Sequence, residues 1–173
     1  MKTSTNAQHS GRRNYMLLPY KVATIILLLT AFSSSMKAQM ATATGEPLNL
    51  EKGIAISGYD PVAYFTLGKA TQGKNTISFT QNGATYYFAT DANRQLFIKE
   101  PAKYQPQYGG WCAYAMATSG EKVEIDPQTY KIVNGKLLLF YNKFFNNTLN
   151  SWNKNEKGYL PLADTNWKKI TNK

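Results

Sequence analysis

Histidine and cysteine are nearly missing from this chain: 173 residues hold one of each, His9 and Cys112. His9 lies in an N-terminal stretch that reads as a removable leader, which leaves the remainder without an imidazole. That excludes Ser-His-Asp and Cys-His catalysis, and zinc or non-haem iron sites built on histidine. One cysteine cannot close a disulfide within the chain; in an exported protein an odd cysteine points to burial, a reactive thiol or pairing with another chain. Only 17% of the residues are charged. Clustered arginine, or a basic stripe of the kind that tracks a nucleic-acid backbone, is lacking too. The apolar run Val22–Phe32 is short for a membrane-spanning helix.

Residues 1–38 have the layout of a secretory signal peptide. Lys2, Arg12, Arg13 and Lys21 precede the apolar run, and the small residues Ser33 to Ser35 lead to an exit at Ala38. Cleavage is expected after Ala38, with residues 39–52 a flexible lead-in. The protein is therefore expected to be exported, to the periplasm or beyond, with membrane attachment only through an uncleaved leader. The leader holds five of the 20 basic residues and none of the 10 acidic ones. The mature part is left with 15 bases and 10 acids, a modest net charge of +5 spread along the chain. No nucleic-acid partner is expected.

What remains is long enough for one domain with a single core. A short strand is expected within Leu48–Ser57, with Ile54 and Ile56 on one face. Asp60-Pro61 reads as a helix start, Asp60 capping and Pro61 at the first position. Thr76–Thr80 and Ala84–Phe88 flank Asn82-Gly83, and Tyr130–Val133 and Leu137–Tyr141 flank Asn134-Gly135. Two β-rich runs around Asn-Gly are the strongest short-range hairpin signal. A helix is expected from Thr90 or Asp91 to Glu100, stopped by Pro101, with Leu96 and Phe97 toward the sheet. Pro101–Pro106 reads as a connection, Trp111–Ala117 as a helix after a Gly109-Gly110 turn, and Phe144–Asn153 as a helix with Phe145, Leu149 and Trp152 on one side. A last helix spans Leu160–Ile170, with Trp167 inward. The expected fold is α+β: one small domain over residues 53–173, two hairpins on Asn-Gly turns, packed with short helices.

The succession GYDPVAYF, NGATYYFAT, NRQLFIKEPAKY, PQYGGWCAYAM and VNGKLLLFYNK resembles exported proteins of the YHS-domain family over about residues 53–167. Metal-handling members of that family use cysteines as soft-metal ligands. The resemblance puts those ligand positions at Ala63, Ala89 and Asn93, so the scaffold carries over and the thiolate set does not. It also implies that a site, if present, lies where GYDPVAYF meets QYGGWCAYAM.

Three readings of that site follow. Cys112 and Met116 stand four apart on a helix, and thiolate with thioether sulfur suits Cu(I), which makes a copper ion the candidate cofactor. Cys112 could instead act as a nucleophile or redox thiol, its base limited to Asp60, a lysine or a tyrosine. Third, Asp60 with Tyr59, Tyr64, Tyr108, Trp111 and Tyr114, joined by Tyr104, could line a pocket for a small ligand or a protein partner, since aromatic rings combine large area with a polar tip. The same residues also suit simple core packing, in a structural or protein-interaction domain with no small ligand. The expected function is a non-enzymatic binding module of YHS type, with a thiol-based redox protein or enzyme as the alternative.

Overall fold

The computed structural model describes residues 47–172. The expected leader, His9 and the lead-in as far as residue 46 lie outside the described residues. Among the described residues no helix is long and apolar enough to cross a membrane.

The α+β architecture with two Asn-Gly hairpins and short packed helices is present as expected. The chain enters through β1 (Leu50–Glu51) and β2 (Ile54–Ala55), a small hairpin rather than the single strand expected there. Lys52 and Gly53, at φ 51° and 83°, reverse the chain, and Ile56 leaves the strand at φ 53°. Ile54 and Ile56 therefore do not share a strand face. A short helix α1 (Ala63–Thr66) follows. Next, β3 (Lys74–Gln81) and β4 (Ala84–Phe88) pair across Asn82-Gly83, and β2 adds to β4 in parallel, so the sheet order is β1-β2-β4-β3.

Alternation along β4 turns Ala84, Tyr86 and Phe88 inward. Helix α2 (Asp91–Lys99) packs on them, its start fixed by the Thr90 side chain, which accepts from the Asn93 amide at 3.1 Å. Phe97 is the residue it buries, with ring centroids 4.6 Å from Tyr86 and 5.3 Å from Phe88. Leu96, expected to face the sheet beside it, is 40% exposed. Adjacent helical residues point about 100° apart, so only one of the two can lie on the sheet. Pro101–Tyr104, expected as a plain connection, is a helical turn, α3, with Pro101 at its first position.

Strands β5 (Asp126–Val133) and β6 (Lys136–Phe140) form the second hairpin. Apart from its first residue, β6 is buried on both faces. Leu137 and Leu139 join the core under the four-stranded sheet, while Leu138 and Phe140 join a second core with Met116, Trp152 and Ala163. The helices α4 (Ala113–Thr118), α5 (Thr148–Lys154) and α6 (Glu156–Thr171) supply that second core. The last of them starts earlier than expected and contains Pro161. Trp167 on it is half-buried, edge-on to Tyr108 at 6.4 Å.

One expected helix is displaced. Phe144–Phe145 is not helical: it joins β7 (Asn142–Lys143) to β8 (Asn146–Asn147) in a fourth hairpin, around a Phe-Phe turn. The helix begins only at Thr148, after the Asn147 side chain accepts from the Leu149 amide at 3.0 Å. Leu149 and Trp152 keep their inward positions, while Phe145 stands in solvent.

Candidate functional site

Asp60 is fully enclosed, and both of its oxygens are engaged. Oδ1 accepts from the amides of Val62 at 2.8 Å and Ala63 at 3.3 Å; Oδ2 accepts from the Ala89 amide at 2.8 Å and from Asn93 Nδ2 at 2.7 Å. The first pair of bonds is the expected cap of α1. The second pair was not legible in the sequence; it ties the end of β4 and the start of α2 to the same carboxylate. Four donors around one buried carboxylate satisfy its hydrogen-bonding capacity without a cation. Asp60 is thus a joint between elements, with both oxygens spent on the protein's own donors.

The aromatic residues of the expected pocket take separate posts. Tyr59, Tyr64 and Tyr104 belong to the first core, Tyr108 and Trp111 to the second, and Tyr114 touches both. The Tyr64 hydroxyl donates to the Pro127 carbonyl at 2.8 Å, and that of Tyr108 donates to Asp164 at 3.0 Å. Burial pushes both phenols up, with the Asp164 carboxylate adding to the effect at Tyr108, so each stays a protonated donor. Trp111 Nε1 donates to the Pro47 carbonyl. Gly109, at φ +61°, lets Trp167 and the Pro47 carbonyl approach: a Cβ there would lie 2.9 Å from the indole and 3.0 Å from that oxygen. Tyr64, Tyr108 and Trp111 are thus each tied to backbone or side-chain partners at separate places in the fold.

Cys112 stands at the N-terminal boundary of α4 with Met116 one turn on, as expected, but the two sulfurs serve different cores. Cys112 Sγ lies 3.4 Å from Thr148 Oγ1 and accepts from the Tyr141 amide at 3.4 Å. Among the described residues no group of three or more His, Cys, Asp or Glu is placed to hold a metal ion. The ligand positions implied by the resemblance, Ala63, Ala89 and Asn93, carry no thiolate, and their donors are spent on Asp60. The residues present do not fit a Cu(I) centre.

Cys112 and Tyr114 do share one recess. A groove of about 440 Å³ runs above Cys112, walled by Tyr114, Ala115, Val123 and Tyr141, with Thr148 deep in it and Glu121 and Asn146 among the polar groups around it. Sequence reasoning singled out Cys112 and Tyr114 and missed the rest. Tyr141 was detectable as the last aromatic residue of the second Asn-Gly hairpin; Val123 lay outside every expected element. A second recess, of about 360 Å³, lies beyond Lys143 and is lined by Glu51, Glu124 and the left-handed residues Ile56 and Ser57. Its walls are mainly polar, and Lys143 is already paired with Glu124 at 3.3 Å. The groove over Cys112 is the better receptor for an apolar group. Comparison of the chain with protein-family models, with curated proteins and with solved structures gave no match in any of the three.

Proposed function

We propose that the protein is an exported, non-enzymatic binding module of YHS type, whose binding surface is the groove over Cys112 and whose ligand presents an apolar aromatic group. The observation that carries this is the meeting of Cys112, Tyr114 and Tyr141 around one open groove with aliphatic and aromatic walls. Aromatic walls select flat apolar groups through edge and face contacts, and the polar rim leaves an exit for a ligand's polar end. The YHS reading is supported by Ala63, Ala89 and Asn93: these positions, marked by the resemblance and drawn from two segments of the chain, all donate to Asp60. An enclosed Cys112 whose sulfur is occupied by Tyr141 and Thr148 suits a packing role better than a nucleophile's.

The test is a titration with N-acetylphenylalaninamide followed by amide chemical shifts. Saturable shifts at Tyr114, Ala115 and Val123, lost when Ala115→Phe fills the groove, are expected. No shifts there in the monomeric protein, with the fold intact, would sink the reading. Tight one-to-one Cu(I) binding that disappears in Cys112→Ser would replace it with a copper-handling function.

A further inference from the structure

Each two-residue hairpin turn among the described residues places both central residues at positive φ, the pattern that favours Asn-Gly. Lys52-Gly53, Asn82-Gly83 and Asn134-Gly135 end in glycine. The fourth is Phe144-Phe145, at φ 52° and 63°, with the two side chains 88% and 111% exposed. A left-handed conformation is unfavourable for a bulky residue, and exposed benzyl groups gain nothing in water. Such an arrangement persists where the surroundings fix it and marks a site of function. Here the base is clamped: Asn142 Nδ2 donates to Thr129 Oγ1 at 3.0 Å, Lys143 pairs with Glu124, and the Thr148 amide donates to the Tyr141 carbonyl at 3.0 Å.

The same hairpin borders the groove over Cys112, since Tyr141, Asn146 and Thr148 line it. Building on the groove as a binding surface, we propose that its partner is a second copy of this chain, which inserts Phe144 and Phe145 while receiving the same pair in return. An aromatic knob beside an aromatic-walled hole on one face is self-complementary, the requirement for a closed two-fold pair. The area is sufficient. Four phenylalanines, at roughly 200 Å² each, bury about 800 Å², and the walls that they cover add about as much again, which reaches the ~1,200–2,000 Å² of a stable interface. Charge argues against a lipid surface as the occupant. Glu121 lines the groove and Lys143, next to the tip, is paired with Glu124 at 3.3 Å, so acidic groups stand among the basic ones there, which weakens attraction to an anionic bilayer.

Sedimentation velocity of the purified protein over a micromolar-to-millimolar series tests this. A doubling of mass with concentration is expected, abolished both by Phe144→Asn/Phe145→Gly, which keeps a good hairpin turn, and by Ala115→Phe, which fills the hole. A wild type that stays monomeric throughout overturns the proposal, as does either variant dimerising like the wild type. Flotation of the wild type, but not of the tip variant, with phosphatidylcholine–phosphatidylglycerol vesicles, without self-association, would assign the tip to a membrane instead. N-acetylphenylalaninamide titrated into the tip variant, whose groove is open, keeps two failures apart. Binding there beside a monomeric wild type overturns the second copy alone; absence of binding overturns the groove as a receptor.

Discussion

The Asn82-Gly83 and Asn134-Gly135 hairpins and the Phe144-Phe145 hairpin have the same loop length and the same backbone handedness, yet they invert each other's chemistry. In each of the first two, one strand is buried and the turn is small: Ala84, Tyr86 and Phe88 of β4, and Leu137 to Phe140 of β6, go into the cores. In the third, the strands are Asn, Lys, Asn and Asn, and the apolar residues sit in the turn. A hairpin that folds to bury its strands needs nothing at its tip. A hairpin with polar strands and an aromatic tip buries little by itself; Asp126, Thr129 and Glu124, with the Thr148–Tyr141 backbone bond, hold its base. The difference teaches where to look for function: in the element whose local rules are broken and whose break is supported from outside.

The largest test of this contrast is at Asp60, which anchors the end of the first hairpin through the Ala89 amide. Asp60→Asn places an amide NH₂ among four donors, so at least one buried donor loses its acceptor. A destabilisation of about 3 kcal/mol or more is expected in chemical denaturation, with the exchange protection of β4 lost together with that of α2. If β4 keeps its protection in that variant, the hairpin is not held from its base.

Replacing Phe144-Phe145 by Asn-Gly should act with the opposite sign. Relief of two unfavourable left-handed residues is expected to stabilise the monomer by about 1–2 kcal/mol, measured at a concentration below self-association. Unchanged stability would mean that the tip conformation is not strained. The control is Gly135→Ala, where a Cβ meets nothing within 4 Å. Its cost, about 1 kcal/mol, is therefore the backbone's alone.

The same contrast explains how much was legible in the sequence. The two core hairpins could be read because alternation, β-branched and aromatic residues and Asn-Gly all point one way. The Thr90 cap and the Pro101 stop fixed α2 for the same reason. Phe144–Asn153 misled because Phe145, Leu149 and Trp152 have helical spacing, and nothing in that spacing shows that Asn147 caps a helix starting later or that Asn142 is tied to Thr129 from across the fold. The groove was half legible: Cys112 and Tyr114 are neighbours on one segment, whereas Val123, Tyr141 and Thr148 arrive through pairings that only the assembled second hairpin and α5 create. Asp60 was read as a local cap because its other two donors come from residues 29 and 33 positions away.

The smallest expected effect concerns the ion pairs beside the hairpins. Lys131 on β5 pairs with Glu156 at 2.6 Å, and the same carboxylate accepts from the enclosed Trp152 Nε1 at 3.0 Å. Lys143 on β7 pairs with Glu124, whose side chain is 74% exposed. The Lys131 hydrogen bond, with that from Trp152, holds the Glu156 carboxyl below its ordinary range. A carboxyl whose pKa is lowered by folding adds stability above its unfolded value and loses it as pH falls through the folded one. Glu156→Gln keeps an acceptor for Trp152 and removes the charge. A loss of about 0.5 kcal/mol is expected at neutral pH, shrinking toward zero below the carboxylate range and in high salt. Lys143→Gln should be closer to neutral, because its partner is free to be hydrated. If Lys143→Gln proved the costlier of the two, the Phe-Phe hairpin would depend on its ion pair rather than on Asn142.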